Sequence, residues 1–221
     1  AAQEPLFPPG SASGYHPVTY GYLAGEIARR TDKDMRSLGR ILREDLCAPN
    51  NIDVWIGLPE SEHGRCSYMQ KPRAMADLGE MNAATKAAFM SKAAAPGGRS
   101  MTEWRKAEFA GSNCQATAKG LAALMQMAVD GNIGGTKYLS EDIVLFLREI
   151  RISGPNLVLP FDIDFAAGVM RNSPNFFYGP NAETVGHSGW GGSCAFAGAV
   201  RRFCGMAAER GGGDATGRLA R

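Results

Sequence analysis

The segment Val185–Ser193 limits the possible folds most, because its glycines interrupt a stretch that otherwise favours extended structure. It reads VGHSGWGGS, and the apolar run Cys194–Ala197 follows it. Glycines accumulate in strands where the backbone closely approaches another backbone or a ligand. A strand edge that carries His187 and Ser188 beside bare backbone N–H groups therefore predicts one wall of an active site.

The order of the predicted elements indicates an α+β fold. Periodicity and capping signals predict helices over Val18–Arg30, Asp34–Leu46, residues 74–95, Ala118–Asp130 and Ser140–Glu149. Extended segments are predicted over Val54–Leu58, Phe161–Arg171 and Thr184–Ala197, and residues 60–72 are predicted to form a loop. Since helices come first and strands last, we expect helices packed on an antiparallel sheet rather than βαβ units.

Local signals make several of these predictions specific. Asp34 and Thr117 are predicted N-caps, and Gly131 is the predicted C-terminal stop of the helix that Thr117 begins. In the first helix, Gly21 and Gly25 lie one turn apart and predict close packing against a neighbour. The face of that helix predicted to be buried carries Val18, Tyr22, Leu23 and Ile27.

Charge and hydropathy exclude several classes of partner. The 221 residues carry a net charge of +2, which gives no electrostatic reason to expect nucleic acid or an anionic membrane as partner. No apolar run approaches the roughly 20 residues of a membrane span. The sequence leaves the oligomeric state open.

Cysteine and histidine patterns argue against disulfides, metals and cofactors. The cysteine count of 5 is odd and there is no CxxC, which predicts buried free thiols in a reducing, cytoplasmic compartment. His16, His63 and His187 lack metal-ligand spacing. The chain contains neither a P-loop nor a G-x-G-x-x-G motif, so we expect no cofactor.

The composition changes near the end of the chain. Residues 1–197 carry the predicted helices and strands and are predicted to form one domain. Residues 198–221 are rich in Arg and Gly, include Gly211–Gly213 and show almost no periodic apolar pattern. This tail is predicted to be disordered or read out of frame.

Three segments in order resemble the serine β-lactamase-like family, in particular the class C β-lactamase-related, family VIII carboxylesterases. They are residues 9–30 (PGSASGYHPVTYGYLAGEIARR), 53–59 (DVWIGLP) and 186–192 (GHSGWGG). The resemblance implies a β-lactamase or penicillin-binding-protein-like fold. It also implies a small-molecule ester or acyl compound as substrate.

The family's active site, as the resemblance implies it, combines a Ser-x-x-Lys nucleophile, a tyrosine general base and a Lys-Thr-Gly-like triplet on a strand. By position, Tyr15 is the tyrosine, and His187, Ser188 and Gly189 are the triplet. The backbone N–H of Trp190 is then one oxyanion-hole donor, since N–H groups on a rigid strand suit a tetrahedral intermediate. A phenol with an ordinary pKa near 10 can act as a base only if neighbouring cations stabilise the phenolate.

The chain departs from the family pattern at three points. Pro17 stands where β-lactamases have asparagine and His187 where they have lysine, and both changes favour the esterase branch. No serine of the sequence has lysine three residues later. We therefore expect an interior fragment of a serine hydrolase that lacks the nucleophile segment.

The residues leave three functions open. The first is ester hydrolysis through an acyl-serine intermediate. The second is a non-catalytic relic or interaction module with the penicillin-recognition fold, and the third is β-lactamase or D-amino-acid amidase or peptidase activity.

Overall fold

The structure, a computed structural model, describes residues 4–67, 79–90, 101–172, 175, 177–189, 192–198 and 203–208, the last segment by its backbone alone. The helices are α1 (Thr19–Thr31), α2 (Leu38–Ile41), a π-helix (Leu42–Cys47), a 3₁₀-helix (Glu60–Arg65), α3 (Ala83–Phe89), α4 (Met101–Lys106), α5 (Ala118–Met125), α6 (Met127–Asp130) and α7 (Glu141–Arg148). The strands are β1 (Val54–Trp55), β2 (Gln115–Ala116), β3 (Asn132–Ile133), β4 (Thr136–Lys137), β5 (Met170–Arg171), β6 (Val185–Ser188), β7 (Ser193–Gly198) and β8 (Phe203–Ala208).

The main sheet is antiparallel, in the order β5-β6-β7-β8, and α5 lies against β7 and β8. The small ribbons β1-β2 and β3-β4 connect the helices. The predicted α+β arrangement, with helices packed on an antiparallel sheet, is confirmed.

The prediction of one strand over Thr184–Ala197 is wrong, because this segment is the hairpin β6-β7. Gly189 N donates to Ser193 O at 2.6 Å, and Gly192 has a φ of 88° that suits glycine. Gly189 and Gly192 thus lie at a turn between two strands, whereas Gly186 lies within β6.

The predicted strand Phe161–Arg171 is also largely wrong, since only Met170–Arg171 belong to the sheet. Gly168 has a φ of 81°, and Phe165 forms isolated bridges to Ile152 and Met170. The chain therefore turns back on itself before the strand begins.

The sheet extends beyond the predicted boundary at residue 197. Strand β8 pairs with β7 from Ser193↔Ala208 to Gly198↔Phe203. Part of the predicted tail is therefore an ordered strand, whereas residues 209–221 lie outside the described residues.

Helix α1 packs by a different face from the one predicted. A Cβ on Gly21 would overlap the backbone nitrogen of Gly111, so the helix contacts its neighbour at the glycine. Tyr22, Leu23 and Ile27 are 52%, 60% and 65% exposed, and only Val18 of the predicted stripe is buried. The close approach at Gly21 turns the large apolar side chains outward.

The second helix begins later than predicted. Asp34 is not its N-cap: Met35 has a left-handed φ of 53°, and Ser37 accepts from Arg40 N at the start of α2. Residues 60–65 of the predicted loop form a 3₁₀-helix. Within residues 74–95, helix is described over Ala83–Phe89, capped by Asn82, and residues 74–78 and 91–95 lie outside the described residues.

The helix from Ala118 follows its predicted signals. Thr117 accepts from Gly120 N at 3.0 Å, and Gly131 ends the helix with a φ of 77°. The helix is interrupted at Gln126, which divides it into α5 and α6. Helix α7 spans Glu141–Arg148, within one residue at each end of the predicted Ser140–Glu149.

Buried side chains form separate clusters. One joins Cys47, Ile52, Val54 and Ile133 between the π-helix and the small ribbons. Consecutive residues of β7 lie on opposite faces of the sheet and contribute to two more clusters. Ala197 joins Val185 and Val129, and Phe196 joins an aromatic cluster that includes Tyr178 and Tyr15.

Two further predictions concern the cysteines, expected to be buried free thiols, and the lack of a membrane-spanning segment. Cys47, Cys66, Cys114 and Cys194 are free; Cys47 is buried as predicted, whereas Cys114 is exposed. Among the helices of the described ranges, none is both long and apolar enough to cross a membrane.

Candidate active site

The structure brings together Tyr15 and His187, which are 172 residues apart in the sequence. The Tyr15 hydroxyl lies 3.4 Å from His187 Nε2. Their rings are stacked, with centroids 5.8 Å apart and planes inclined by 27°. The first and last segments of the sequence pattern therefore meet at one point of the fold.

Tyr15 is held by an asparagine that the sequence analysis missed. Asn156 Oδ1 accepts from Tyr15 N at 3.1 Å and from Val158 N at 2.9 Å. Leu157 N also donates to Ser13 O at 2.9 Å, so the loop before Tyr15 is bound to the loop around Asn156. Asparagine after Gly-Pro signals a turn, which is the only trace of this role in the sequence.

Phe165 supports the tyrosine ring. The two rings are nearly parallel, with an angle of 8° and centroids 6.3 Å apart. Backbone anchoring and aromatic stacking together direct the Tyr15 hydroxyl toward β6.

His187 owes its position to the glycine that precedes it. In the β6-β7 ladder, Gly186 lies opposite Phe196, and His187 opposite Ala195. A Cβ on Gly186 would lie 2.7 Å from Ala195 O and 2.9 Å from Phe196 Cβ. Only glycine lets the two strands approach this closely beside the histidine.

Burial keeps the Tyr15–His187 pair uncharged at neutral pH. It raises the pKa of Tyr15 above its ordinary value and lowers the pKa of His187, because it disfavours the charged form of each group. Within the described part of the chain, no Lys or Arg bonds to the Tyr15 hydroxyl. The cation that the sequence analysis requires for a phenolate is therefore not supplied by these residues.

The other predicted site residues have distinct environments. Ser188 Oγ lies 3.4 Å from the hydroxyl of Tyr178. Gly189 is exposed, but its N–H is engaged by Ser193 O in the hairpin turn and cannot donate to a substrate in this conformation. Trp190 lies outside the described residues, so its predicted oxyanion-hole role stays a prediction.

Tyr178 is a second residue that sequence reasoning missed. It is buried, its ring stacks on Phe196 with centroids 6.3 Å apart, and its backbone N–H donates to Asn172 Oδ1 at 2.7 Å. Burial raises the pKa of Tyr178 to about 12. A single tyrosine in a Pro-, Asn- and Gly-rich loop has no periodicity that would reveal such a position.

The described residues contain no group of three or more His, Cys, Asp or Glu side chains suited to a metal ion. A separate polar pocket of about 250 Å³ carries charges that pair with one another, with Arg65 bound to Asp53 and Glu62.

The chain matches a family model described as Beta-lactamase over residues 1–208. Among solved structures it resembles a novel penicillin-binding protein homolog from Caulobacter crescentus, with 50% identity, a TM-score of 0.87, and coverage of 93% of this chain and 54% of that one. It also resembles a family VIII carboxylesterase, with 34% identity, a TM-score of 0.81, and coverage of 94% and 55%.

A third similar structure is EstA from Arthrobacter nitroguajacolicus Rue61a, at 23% identity and a TM-score of 0.73, covering 95% of this chain and 58% of that one; it shows likeness of fold alone. The chain spans just over half the length of these structures. Comparison with curated proteins gives no significant match.

Proposed function

Because the chain belongs to the Beta-lactamase family, we propose that the protein is a serine hydrolase that cleaves carboxylic esters through an acyl-serine intermediate. The observation that carries this proposal is the 3.4 Å contact between the Tyr15 hydroxyl and His187 Nε2. These residues occupy the positions of the family's tyrosine and strand triplet. The similarity to a family VIII carboxylesterase supports an ester substrate.

In the proposed reaction, a serine hydroxyl attacks the ester carbonyl carbon and gives its proton to the tyrosine oxygen. The tetrahedral intermediate collapses, and the alcohol leaves with that proton. Water then attacks the acyl-serine and gives a proton to the tyrosine, and the tyrosine returns this proton to the departing serine oxygen as the carboxylic acid is released. The attacking serine would belong to a Ser-x-x-Lys segment, which these 221 residues do not contain.

The lysine of such a segment would supply the positive charge that a Tyr15 phenolate needs. Burial raises the pKa of the Tyr15 phenol, so the group needs an adjacent positive charge to become a base. An ammonium group beside the phenol oxygen favours the phenolate. The uncharged Tyr15 seen here is the state expected without that partner.

The strand side of the site favours a neutral substrate. A substrate carboxylate, as β-lactams carry, calls for a cation at the triplet. Burial lowers the pKa of His187, so its imidazole is uncharged at neutral pH and offers no such cation. Pro17 likewise offers no side-chain amide. These features support esterase over β-lactamase activity.

Hydrolysis of p-nitrophenyl butyrate by the complete gene product tests this function. We expect Tyr15→Phe to lower kcat by about a hundred- to ten-thousandfold, the usual value of a positioned general base. Tyr22→Phe is the matched control because its ring is about half exposed; it should stay within about twofold of wild type. Wild-type turnover by Tyr15→Phe would remove Tyr15 from the mechanism, and an inactive wild type would overturn the proposal.

A second candidate is a non-catalytic module that retains the fold. Burial of the Tyr15–His187 pair favours it, because burial disfavours the charged forms that acid–base catalysis by these groups would require. We expect a fluorophosphonate probe to leave the 221-residue chain unlabelled. Labelling of a serine at the Tyr15–His187 site would rule out this candidate.

A further inference from the structure

The hydroxyl of Tyr178 lies within an otherwise apolar environment. Its neighbours include Met170, Ile163 and Phe196, and the residue is almost completely buried. Phenylalanine would fill the same space, and a buried hydroxyl costs free energy unless it forms hydrogen bonds. Packing alone therefore does not explain why this residue is tyrosine and not phenylalanine.

Its backbone is fixed by the fully buried Asn172. Asn172 Oδ1 accepts from Tyr178 N at 2.7 Å, and Asn172 Nδ2 donates to Asn181 O at 2.9 Å and to Gly179 O. The loop between β5 and β6 is thus closed around one amide side chain. This closure holds the Tyr178 ring against β6 and β7, where it stacks on Phe196.

The hydroxyl reaches two atoms, Met170 Sδ at 3.6 Å and Ser188 Oγ at 3.4 Å. A thioether sulfur carries no proton and can only accept. Both contacts are hydrogen bonds only if Tyr178 donates to Met170 and Ser188 donates to Tyr178. In that arrangement the lone pairs of Ser188 Oγ stay available to accept from a hydrogen-bond donor within the site.

We infer that Tyr178 is a positioning residue, whose hydroxyl selects the rotamer of Ser188 and so fixes the direction in which its oxygen accepts a hydrogen bond within the site. The inference rests on the proposed function, because Ser188 is the middle residue of the strand triplet. A serine side chain has three staggered χ1 states, and a hydrogen bond from a rigid partner selects one of them. Ser188 is the last residue of β6, next to the Gly189 turn.

A double-mutant cycle on p-nitrophenyl butyrate hydrolysis by the complete gene product tests this role. We expect Tyr178→Phe to lower kcat/KM by about three- to tenfold, the value of one net hydrogen bond. In the Ser188→Ala background, Tyr178→Phe should cause no further loss. An unchanged kcat/KM in Tyr178→Phe, or the same fold loss in both backgrounds, would overturn the inference.

Tyr138→Phe is the matched control, because the Tyr138 hydroxyl also accepts one side-chain hydrogen bond, from Asn50 Nδ2 at 2.6 Å, but packs in a different cluster. In the double variant with Ser188→Ala, the fold losses in kcat/KM of the two single variants should multiply. This control separates a general loss of stability from an effect that acts through Ser188.

A second readout separates failure of this inference from failure of the proposed function. In the complete protein labelled with ¹³C at serine Cβ, the Ser188 signal is identified by its loss in Ser188→Ala. We expect Tyr178→Phe to shift that signal and Tyr138→Phe to leave it in place. If the wild type hydrolyses no ester, the proposed function fails, and an unmoved Ser188 signal would then overturn the positioning contact as well.

Discussion

The helical region and the sheet region of this protein differ in what their close contacts hold in place. In the helical region, glycines let backbones touch: Gly21 lies against Gly111, and Gly39 against Ile56 O. In the sheet region, asparagine side chains clamp loops: Asn156 holds the loop of Tyr15. Asn172 holds the loop of Tyr178 in the same way. Glycine contacts and asparagine bonds occur in both regions, since Gly186 lets β6 approach β7 and Asn113 binds Trp104 O, but the two tyrosines near β6 are held by amides of the sheet region.

Because of this difference, some substitutions should change stability alone, whereas others should also change the proposed activity. Adding a methyl group in the helical region should disturb packing without touching the site. Removing an amide in the sheet region should disturb the two tyrosines that contact β6. The predictions below use this contrast.

The largest effect on stability is expected for Gly21→Ala. The new Cβ would overlap the backbone of Gly111, and backbone cannot move aside as a flexible side chain can. We expect the free energy of unfolding in urea to fall by about 3 kcal/mol. Gly64→Ala is the control, since a Cβ there meets nothing within 4 Å. Equal stability of the two variants would show that the helical region does not depend on its glycine contact.

A smaller and more selective effect is expected from a matched pair of buried amides. Asn113 donates to Trp104 O and Ala107 O in the helical region, as Asn172 holds its loop in the sheet region. Replacing either by alanine leaves buried polar groups unpaired, so each variant should lose about 2 kcal/mol of unfolding free energy. Only Asn172→Ala should also lower kcat/KM for p-nitrophenyl butyrate in the complete gene product. Equal loss of activity in both variants would remove the distinction between the regions.

The smallest effect is a pH dependence of stability in the sheet region. Burial lowers the pKa of His187, so the unfolded chain binds a proton at higher pH than the folded chain does. Stability should therefore be complete above about pH 6.5 and fall as the pH drops toward the folded pKa. His187→Gln should flatten this slope in thermal unfolding scans from pH 7 to pH 5.

If the pH dependence of stability between pH 7 and pH 5 persists in His187→Gln, the group that titrates is not His187.

The sequence predicted helix ends well, because a helix cap depends only on residues next to it in the chain. Thr117 and Gly131 mark the ends of the α5–α6 segment. Periodicity was misleading for α1, because the contact at Gly21 with a residue distant in the chain decides which face is buried. The hairpin in Thr184–Ala197 was missed since glycines suit both a strand and a turn.

The candidate site was predictable in part, and only through family resemblance. The order of the three segments placed Tyr15 and His187 together before any contact was known, and the family and the fold are confirmed. Asn156 and Tyr178 were not found, because their roles come from tertiary contacts of irregular loops. The catalytic roles of Tyr15 and His187 and the positioning role of Tyr178 stay predictions.

The most direct test of the account is the crystal structure of the complete gene product after reaction with an aryl phosphonate ester. The account predicts a phosphonate bonded to a serine, with a phosphoryl oxygen within about 3 Å of the Tyr15 hydroxyl and with His187 beside it. A phosphonate bonded elsewhere, or Tyr15 and His187 on separate surfaces, would contradict it.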